Sequence, residues 1–176
     1  MDLTPDVVVP RLRGDFGRTY YYERITPSTQ KLPPADAPHG AVALAEHQTE
    51  GRGRLGRVWL DEAGTGLTFS VVLRPPPPVA RWPQLTLVAA QAVAAAIGPD
   101  ATIKEPNDVL LGGRKTAGIL AEATDRVVLG IGVNVGVAPW PDAGAVDADR
   151  LELLLEILEG LEAGYADWLT ASSPPG

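Results

Sequence analysis

The chain predicts an α+β fold, a mixed and largely antiparallel sheet with packing helices, on three observations. Short runs rich in β-branched, aromatic or aliphatic residues occur at 19–25, 41–48 and 67–75. Beyond Pro99 a series of such runs is broken only by hairpin-length turns, the signature of an antiparallel meander. Two other stretches, 85–97 and 147–169, carry apolar residues at helical spacing. Strands mainly in hairpins, with one or two helices to cover them, make an α+β domain.

Taken in order, "TYYYERI" (19–25) is the first strand, and the prolines of "STQKLPPADAPHG" (28–40) leave little room for a helix after it. "AVALAEHQ" (41–48) and "LTFSVVLRP" (67–75) are strands flanking an arginine-rich loop and a "DEAGTG" turn, and "PPPP" (75–78) ends the second of them. Leu85, Val88, Ala89, Ala92, Val93 and Ala96 form one face of a helix that packs on the sheet. The meander follows as "ATIK", "DVLL", a Gly112-Gly113 turn, "RKTAGILAEA", a turn at Thr124-Asp125, and "RVVLGIGVNV" (126–135). Last comes a long helix with Leu151, Leu154, Leu155, Leu158, Leu161, Tyr165 and Trp168 on one stripe, capped by Asp147 or Asp149 and weakened near Gly160 and Gly164.

Composition narrows the function. A chain of 176 residues that is 45% hydrophobic can bury one ordinary core, and no internal repeat is visible. The formal charge of −7 argues against general nucleic-acid binding. With no cysteine there are no disulfides, thiolate metal sites or cysteine nucleophiles, and two histidines, His39 and His47, are too few for a convincing metal site. No run approaches a membrane span, and the acidic N-terminal stretch lacks the pattern of a signal peptide, so a cytoplasmic protein is expected. Arginine supplies 12 of the 15 basic residues, which makes Lys31, Lys104 and Lys115 uncommon choices.

The stretch "EGRGRLGR" (50–57) packs three arginines and three glycines into eight residues. Guanidinium groups stay charged and hydrated, so such a loop either holds an anion or is a solvated surface segment. Gly51, Gly53 and Gly56 fit the dinucleotide fingerprint, but a turn and a strand follow where that fingerprint needs a helix. The Walker pattern fails for want of Lys-Ser/Thr after Gly56, and an RNA-binding arginine-glycine segment is disfavoured by the acidic body and the lack of a repeat.

In order along the chain stand "STQ", "AEHQTEGRGRLGRVW", "IKEPNDVLLGGRKTAGILAE" and "VVLGIGVNV". This constellation, from about Ser28 to Trp168, resembles the catalytic core of the biotin protein ligases, in the superfamily shared with lipoate ligases. The resemblance implies a class II aminoacyl-tRNA synthetase/biotin synthetase-like fold. It implies an enzyme that makes biotinyl-5'-AMP from biotin and MgATP, then transfers biotin to a lysine of a biotin carboxyl carrier protein. By the same resemblance Ser28, Thr29, Gln48, Gly51, Arg52, Arg54, Lys115, Gly118 and Ile119 bind biotin. Arg52, Arg54, Arg57, Trp59, Lys104, Asn107 and Asn134 serve ATP or the adenylate, with Trp59 opening the next strand, and Asp108 is the candidate magnesium ligand. Lys115 and Arg54 are the implied catalytic residues.

The implied roles make physical sense. A carboxylate approaching a phosphate needs a fixed cation between the two, which suits Lys115 on a strand edge. Arginines on a glycine hinge suit a lid that grips phosphate oxygens and keeps water from the adenylate. The chain departs from the family pattern in places. Glu105 stands where tryptophan is usual and could pair with Lys104 or a lid arginine, or weaken nucleotide binding; Gln30 replaces asparagine; and 31–40 is short and proline-rich. A catalytic domain over 1–170 with a tail at 171–176 leaves no room for the helix-turn-helix or SH3-like domains of relatives, so DNA binding is not expected. A homodimer formed through the edge of "RVVLGIGVNV" is a further expectation. Two rival readings stay open: a lipoate-type ligase, and a lapsed domain that binds biotin or a nucleotide without turnover.

Overall fold

The computed structural model describes residues 1–61 and 64–171. Seven strands form one sheet: β1 (Tyr20–Thr26), β2 (Val42–Gln48), β3 (Gly66–Leu73), β4 (Ala101–Lys104), β5 (Asp108–Leu111), β6 (Arg114–Ala123) and β7 (Val127–Asn134). Their order across the sheet is β1-β2-β3-β7-β6-β5-β4. Neighbours run antiparallel except β1 and β2, which are parallel. A short helix α1 (Pro5–Val8) precedes the sheet, α2 (Gln84–Ile97) joins β3 to β4, and α3 (Arg150–Ala171) follows β7. The expected mixed, largely antiparallel α+β architecture is what forms. Within the expected turn at 61–66, Glu62 and Ala63 lie outside the described residues, as do residues 172–176 of the expected tail.

Strand alternation gives the sheet two unlike faces. Leu67, Phe69, Val71 and Leu73 of β3 and Val127, Leu129, Ile131 and Val133 of β7 are buried in one core with the apolar stripes of α2 and α3. The intervening positions, Thr68, Ser70, Gly130, Gly132 and Asn134, therefore face the other way. Among them the glycines leave a shallow floor, and the candidate site lies on that floor.

α3 is preceded by Asp149, whose Oδ1 accepts from the backbone N–H groups of Leu151 and Glu152 at 3.0 Å each, so Asp149 and not Asp147 is the cap. The helix runs unbroken past Gly160 and Gly164, contrary to the expected weakening. Both glycines face α2: a Cβ on Gly160 would stand 3.5 Å from Ala92 Cβ, and one on Gly164 would stand 3.0 Å from Val88 Cγ1. Close helix packing offsets their poor propensity.

Other expectations need correction. "RVVLGIGVNV" cannot offer an edge to a second copy, because β7 is paired on both sides, to β3 and to β6. Lys115 is likewise on an interior strand, not an edge strand. Trp59 opens no strand; it lies in an extended segment before β3, and its N–H donates to Gly51 O at 2.9 Å. The N-terminal segment, for which the sequence suggested no element, buries Leu3, Val8, Leu12 and Phe16 in the main core. The proline-rich strap at 31–40, by contrast, is as expected without a helix beyond the single turn at Thr29–Lys31, and arginines hold it in place. Arg126 donates to the carbonyls of Pro33 and Pro34, and Arg74 to those of Ala35 and Ala37.

Candidate active site

Ser28 ends the extended run after β1 and caps the turn Thr29–Lys31, its Oγ accepting from Gln30 N at 3.3 Å. That turn presses Thr29 onto the sheet. Thr29 donates from its backbone N–H to Gln48 Oε1 at 2.8 Å and from its hydroxyl to the same oxygen at 3.2 Å, and the hydroxyl also meets Ser70 Oγ at 2.8 Å. Gln48 is the last residue of β2, so strand, turn and β3 converge on one buried polar corner. Its position is fixed from behind: Asp61, its side chain only 3% exposed, accepts from Gln48 N at 3.2 Å and lies 2.7 Å from His47 Nδ1.

The arginine stretch is a narrow ribbon folded on itself. Arg52 bridges Val58, Gly53 N donates to Arg57 O at 2.7 Å, and Arg57 N donates to Arg54 O at 3.2 Å. At its tip Leu55 has φ 58° and is 89% exposed, an unusual conformation for a branched residue and one held with little packing. At its foot Gly51 admits no side chain, since a Cβ there would stand 2.4 Å from Trp59 O. The ribbon leans on the meander through Arg52 to Glu122 (3.0 Å) and Arg54 to Asn107 Oδ1 (3.3 Å). The indole of Trp59 lies across the glycine floor, so that a Cβ on Gly132 would fall 2.4 Å from its ring and one on Gly118 3.3 Å.

Lys115 reaches this floor because of an irregularity in β6. The register slips between Val109 and Leu110, so that Val109 pairs with Ala117 and Leu110 with Lys115, leaving Thr116 as an extra residue. A bulge reverses the alternation beyond it. Ala117 stays in the core while the Lys115 side chain comes to the glycine face, its Cε 3.3 Å from where a Gly118 Cβ would be. Its Nζ lies 3.0 Å from Asp108 Oδ1 and 5.9 Å from the Trp59 ring centroid. Asp108 Oδ1 is buried without a well-angled hydrogen bond, yet the ion pair stands, since Coulomb attraction depends on distance.

The structure thus brings Ser28, Thr29, Gln48, Arg52, Arg54, Trp59, Asn107, Lys115, Gly118 and Ile119 to one cavity. Arg57, Lys104 and Asp108 lie beside it, in a basin that Arg54, Asn107 and Lys115 share. Glu105 borders the same basin, is exposed, and makes no ion pair among the described residues, so the expected pairing with Lys104 or a lid arginine is absent. Gly51 supports the ribbon without lining the cavity. Asn134 donates to Gly144 O at 2.9 Å and borders a third depression beside Lys115, under the exposed Trp140. Sequence reasoning missed Trp140, Ser70 and the Thr116 bulge, and treated Gln30 only as a departure; Gln30 also lines the main cavity.

No group of three or more His, Asp or Glu side chains among the described residues could cage a metal. Magnesium needs no such cage, because one or two carboxylates, waters and substrate phosphates complete its octahedron. The buried Asp108 Oδ1, lacking a directed hydrogen bond, fits that limited role. The arrangement as a whole is a polar-ended cavity with a glycine floor, a lysine at its mouth and a cationic ribbon above. Such a site can hold a small head group and carry a carboxylate to a phosphate.

Comparison with known proteins accords with this geometry. The model of the biotin/lipoate A/B protein ligase family matches residues 21–137. The bifunctional ligase/repressor BirA of Bacillus subtilis is 39% identical over 186 aligned residues, covering 90% of this chain and 57% of that protein. The biotin--[acetyl-CoA-carboxylase] ligase of Mycobacterium tuberculosis is 42% identical over 151, covering 76% of this chain and 57% of its own length. The chain thus spans little more than half of these curated relatives. Among solved structures, the biotin protein ligase of Aquifex aeolicus in complex with biotin and ATP superposes with a TM-score of 0.76 at 32% identity, covering 88% of this chain and 73% of that one. By sequence and by fold, the chain belongs to the biotin/lipoate A/B protein ligase family.

Proposed function

We propose that this chain activates biotin as biotinyl-5'-AMP and passes the biotinyl group to a lysine of a biotin carboxyl carrier protein. The observation that carries the reading is Lys115, turned by the Thr116 bulge onto the glycine floor where the head-group cavity meets the cationic basin. In the first half-reaction a biotin carboxylate oxygen attacks the α-phosphorus of ATP and pyrophosphate leaves. The ammonium of Lys115 lowers the repulsion between the two anions and stabilises charge on the α-phosphate oxygens. Ser28, Thr29 and Gln48 hold the head, while Arg54 and Lys104 receive the phosphates and Arg57 helps the ribbon close over the adenylate. Asp108 would hold magnesium, which when bound screens the phosphate charge. In the second half-reaction the carrier amine attacks the acyl carbon and AMP leaves. Until then the arginine ribbon and Trp59 exclude water from the mixed anhydride.

Support comes from the cavity's polar corner and from relatives whose names and complexes speak of biotin and ATP. The deciding experiment is exchange of labelled pyrophosphate into ATP. Exchange that requires biotin is expected; exchange with lipoate in its place favours the sibling ligase, and biotin binding without exchange favours a domain that no longer turns over. The ribbon supplies a second test. Arg57→Ala removes an exposed cation that borders the basin but not the cavity. It should keep most of the exchange while releasing adenylate into solution, detected as promiscuous labelling of added protein. Complete loss of exchange would overturn its assignment to retention.

A further inference from the structure

Gln30 is buried to 9% exposure and lines the cavity beside Ser28 and Thr29. Its amide orientation is forced: among the described residues the one partner of the side chain is the carbonyl of Leu120, an acceptor, so Nε2 must point there, at 2.8 Å. The amide lies over Gly130, where a Cβ would come within 2.8 Å of Nε2, so the absence of a side chain on β7 is what admits it. Oε1 is left buried with no partner among the described residues. A buried acceptor without a donor is costly, and native proteins leave few of them.

No neighbouring polar group among the described residues donates to it. Gln48 Oε1 already accepts from Thr29 twice, and the Thr29 hydroxyl is shared with Ser70. Because Gln48 Oε1 faces donors, its own amide nitrogen is the end left without a partner among the described residues. The polar corner therefore presents an unused donor on Gln48 and an unused acceptor on Gln30. A head group that complements both must offer an acceptor and a donor, as a carbonyl flanked by an N–H does.

On the reading given under Proposed function, we infer that Gln30 is a specificity-determining residue, its Oε1 accepting from a ring N–H of a cyclic urea. The site is thereby built for the ureido head of biotin and against the dithiolane head of lipoate, which has no donor and would leave Oε1 orphaned in the complex. The family's usual asparagine is one methylene shorter; in this chain the longer side chain spans to the Leu120 carbonyl across Gly130.

The test is titration calorimetry of the full chain, without ATP, using biotin, lipoate and the two cyclic-carbamate analogues of biotin in which one ureido N–H is replaced by a ring oxygen. Wild type should bind biotin at least roughly tenfold more tightly than one of the carbamates, and than lipoate, as expected when a buried acceptor loses its donor. Gln30→Met, similar in size but without an acceptor, should lose about tenfold or more for biotin and little for that carbamate. Equal binding of biotin and both carbamates by wild type overturns the inference even if no variant folds, and so does a Gln30→Met variant that weakens all ligands alike. If wild type binds no biotin at all, the proposed function itself has failed. Tight biotin binding without preference removes only the role given to Gln30.

Discussion

Lys115 shows how much one side chain's position matters in this site. Its 3.0 Å contact with Asp108 holds the ammonium at the boundary between cavity and basin before any substrate arrives, so the charge is preorganised. A guanidinium is broader, planar and more weakly hydrated, and it would not present the same compact charge between carboxylate and phosphate. Lys115→Arg should therefore depress pyrophosphate exchange by about 2–4 kcal/mol in activation free energy, with biotin affinity much less affected. Asp108→Asn should also lower the exchange rate, by releasing the ammonium from its station and weakening magnesium use. Raising magnesium should recover part of that loss in Asp108→Asn and none in Lys115→Arg. Near-normal exchange in Lys115→Arg would remove the lysine from its assigned place. Glu105, the most conspicuous departure in the sequence, stands exposed at the basin's edge with no ion pair among the described residues. Glu105→Gln should accordingly change ATP affinity little, and a marked tightening would show that its charge opposes the phosphates.

Among the elements, α2 and α3 are where propensity and packing point in opposite directions. Gly160 and Gly164 lower the intrinsic stability of α3, but they also let it approach Ala92 and Val88. The two positions should answer differently to the same change. A Cβ at Gly160 meets ordinary contact at 3.5 Å, so Gly160→Ala should stabilise the fold by up to about 1 kcal/mol through helix propensity. At Gly164 the new carbon would lie 3.0 Å from Val88 Cγ1, and the strain should cancel most of that gain. Urea midpoints of the two variants check this, and a larger gain at Gly164 than at Gly160 would contradict it. The same helix separates what the sequence discloses from what it does not. Its stripe from Leu151 to Trp168 was legible, as were the strands of the meander, because a local period reports which face is buried. The unbroken run past Gly160 was not, because its cause is an alanine on another helix. The central place of β7 and the bulge at Thr116 were hidden for the same reason: both depend on which strands become neighbours, not on the residues within the strand. In the site, the matched motifs named most of the cavity, but they missed Gln30, whose meaning depends on the Leu120 carbonyl far away in sequence.

At the scale of the whole molecule, the N-terminal segment, the sheet and α3 are tied together by one buried charge pair. Glu46 of β2 and Arg150 at the start of α3 lie 2.7 Å apart, with side chains only 2% and 11% exposed. Each has further partners. Leu3 N donates to Glu46 Oε1 at 2.7 Å, and Arg150 donates to Gly66 O at 2.8 Å and Met1 O at 3.3 Å. Chain segments distant in sequence therefore meet at two side chains, and Glu46 stands two residues before Gln48 of the cavity. A buried ion pair contributes little net stability over a well-packed apolar pair, yet removing one partner leaves the other charged and unsatisfied. Glu46→Ala should then cost about 3–5 kcal/mol in urea unfolding, and it should open the N-terminal segment to hydrogen exchange. Arg150→Met should cost less than Glu46→Ala, because Glu46 keeps the hydrogen bond from Leu3 N whereas Glu46→Ala strips both Leu3 N and the guanidinium of their acceptor. Combining Glu46→Met with Arg150→Met should recover much of the loss, because no uncompensated charge then remains. A cost below about 1 kcal/mol for Glu46→Ala would mean that solvent reaches Arg150 easily and that the apolar contacts of Leu3, Val8 and Phe16 hold the N-terminal segment without the tie.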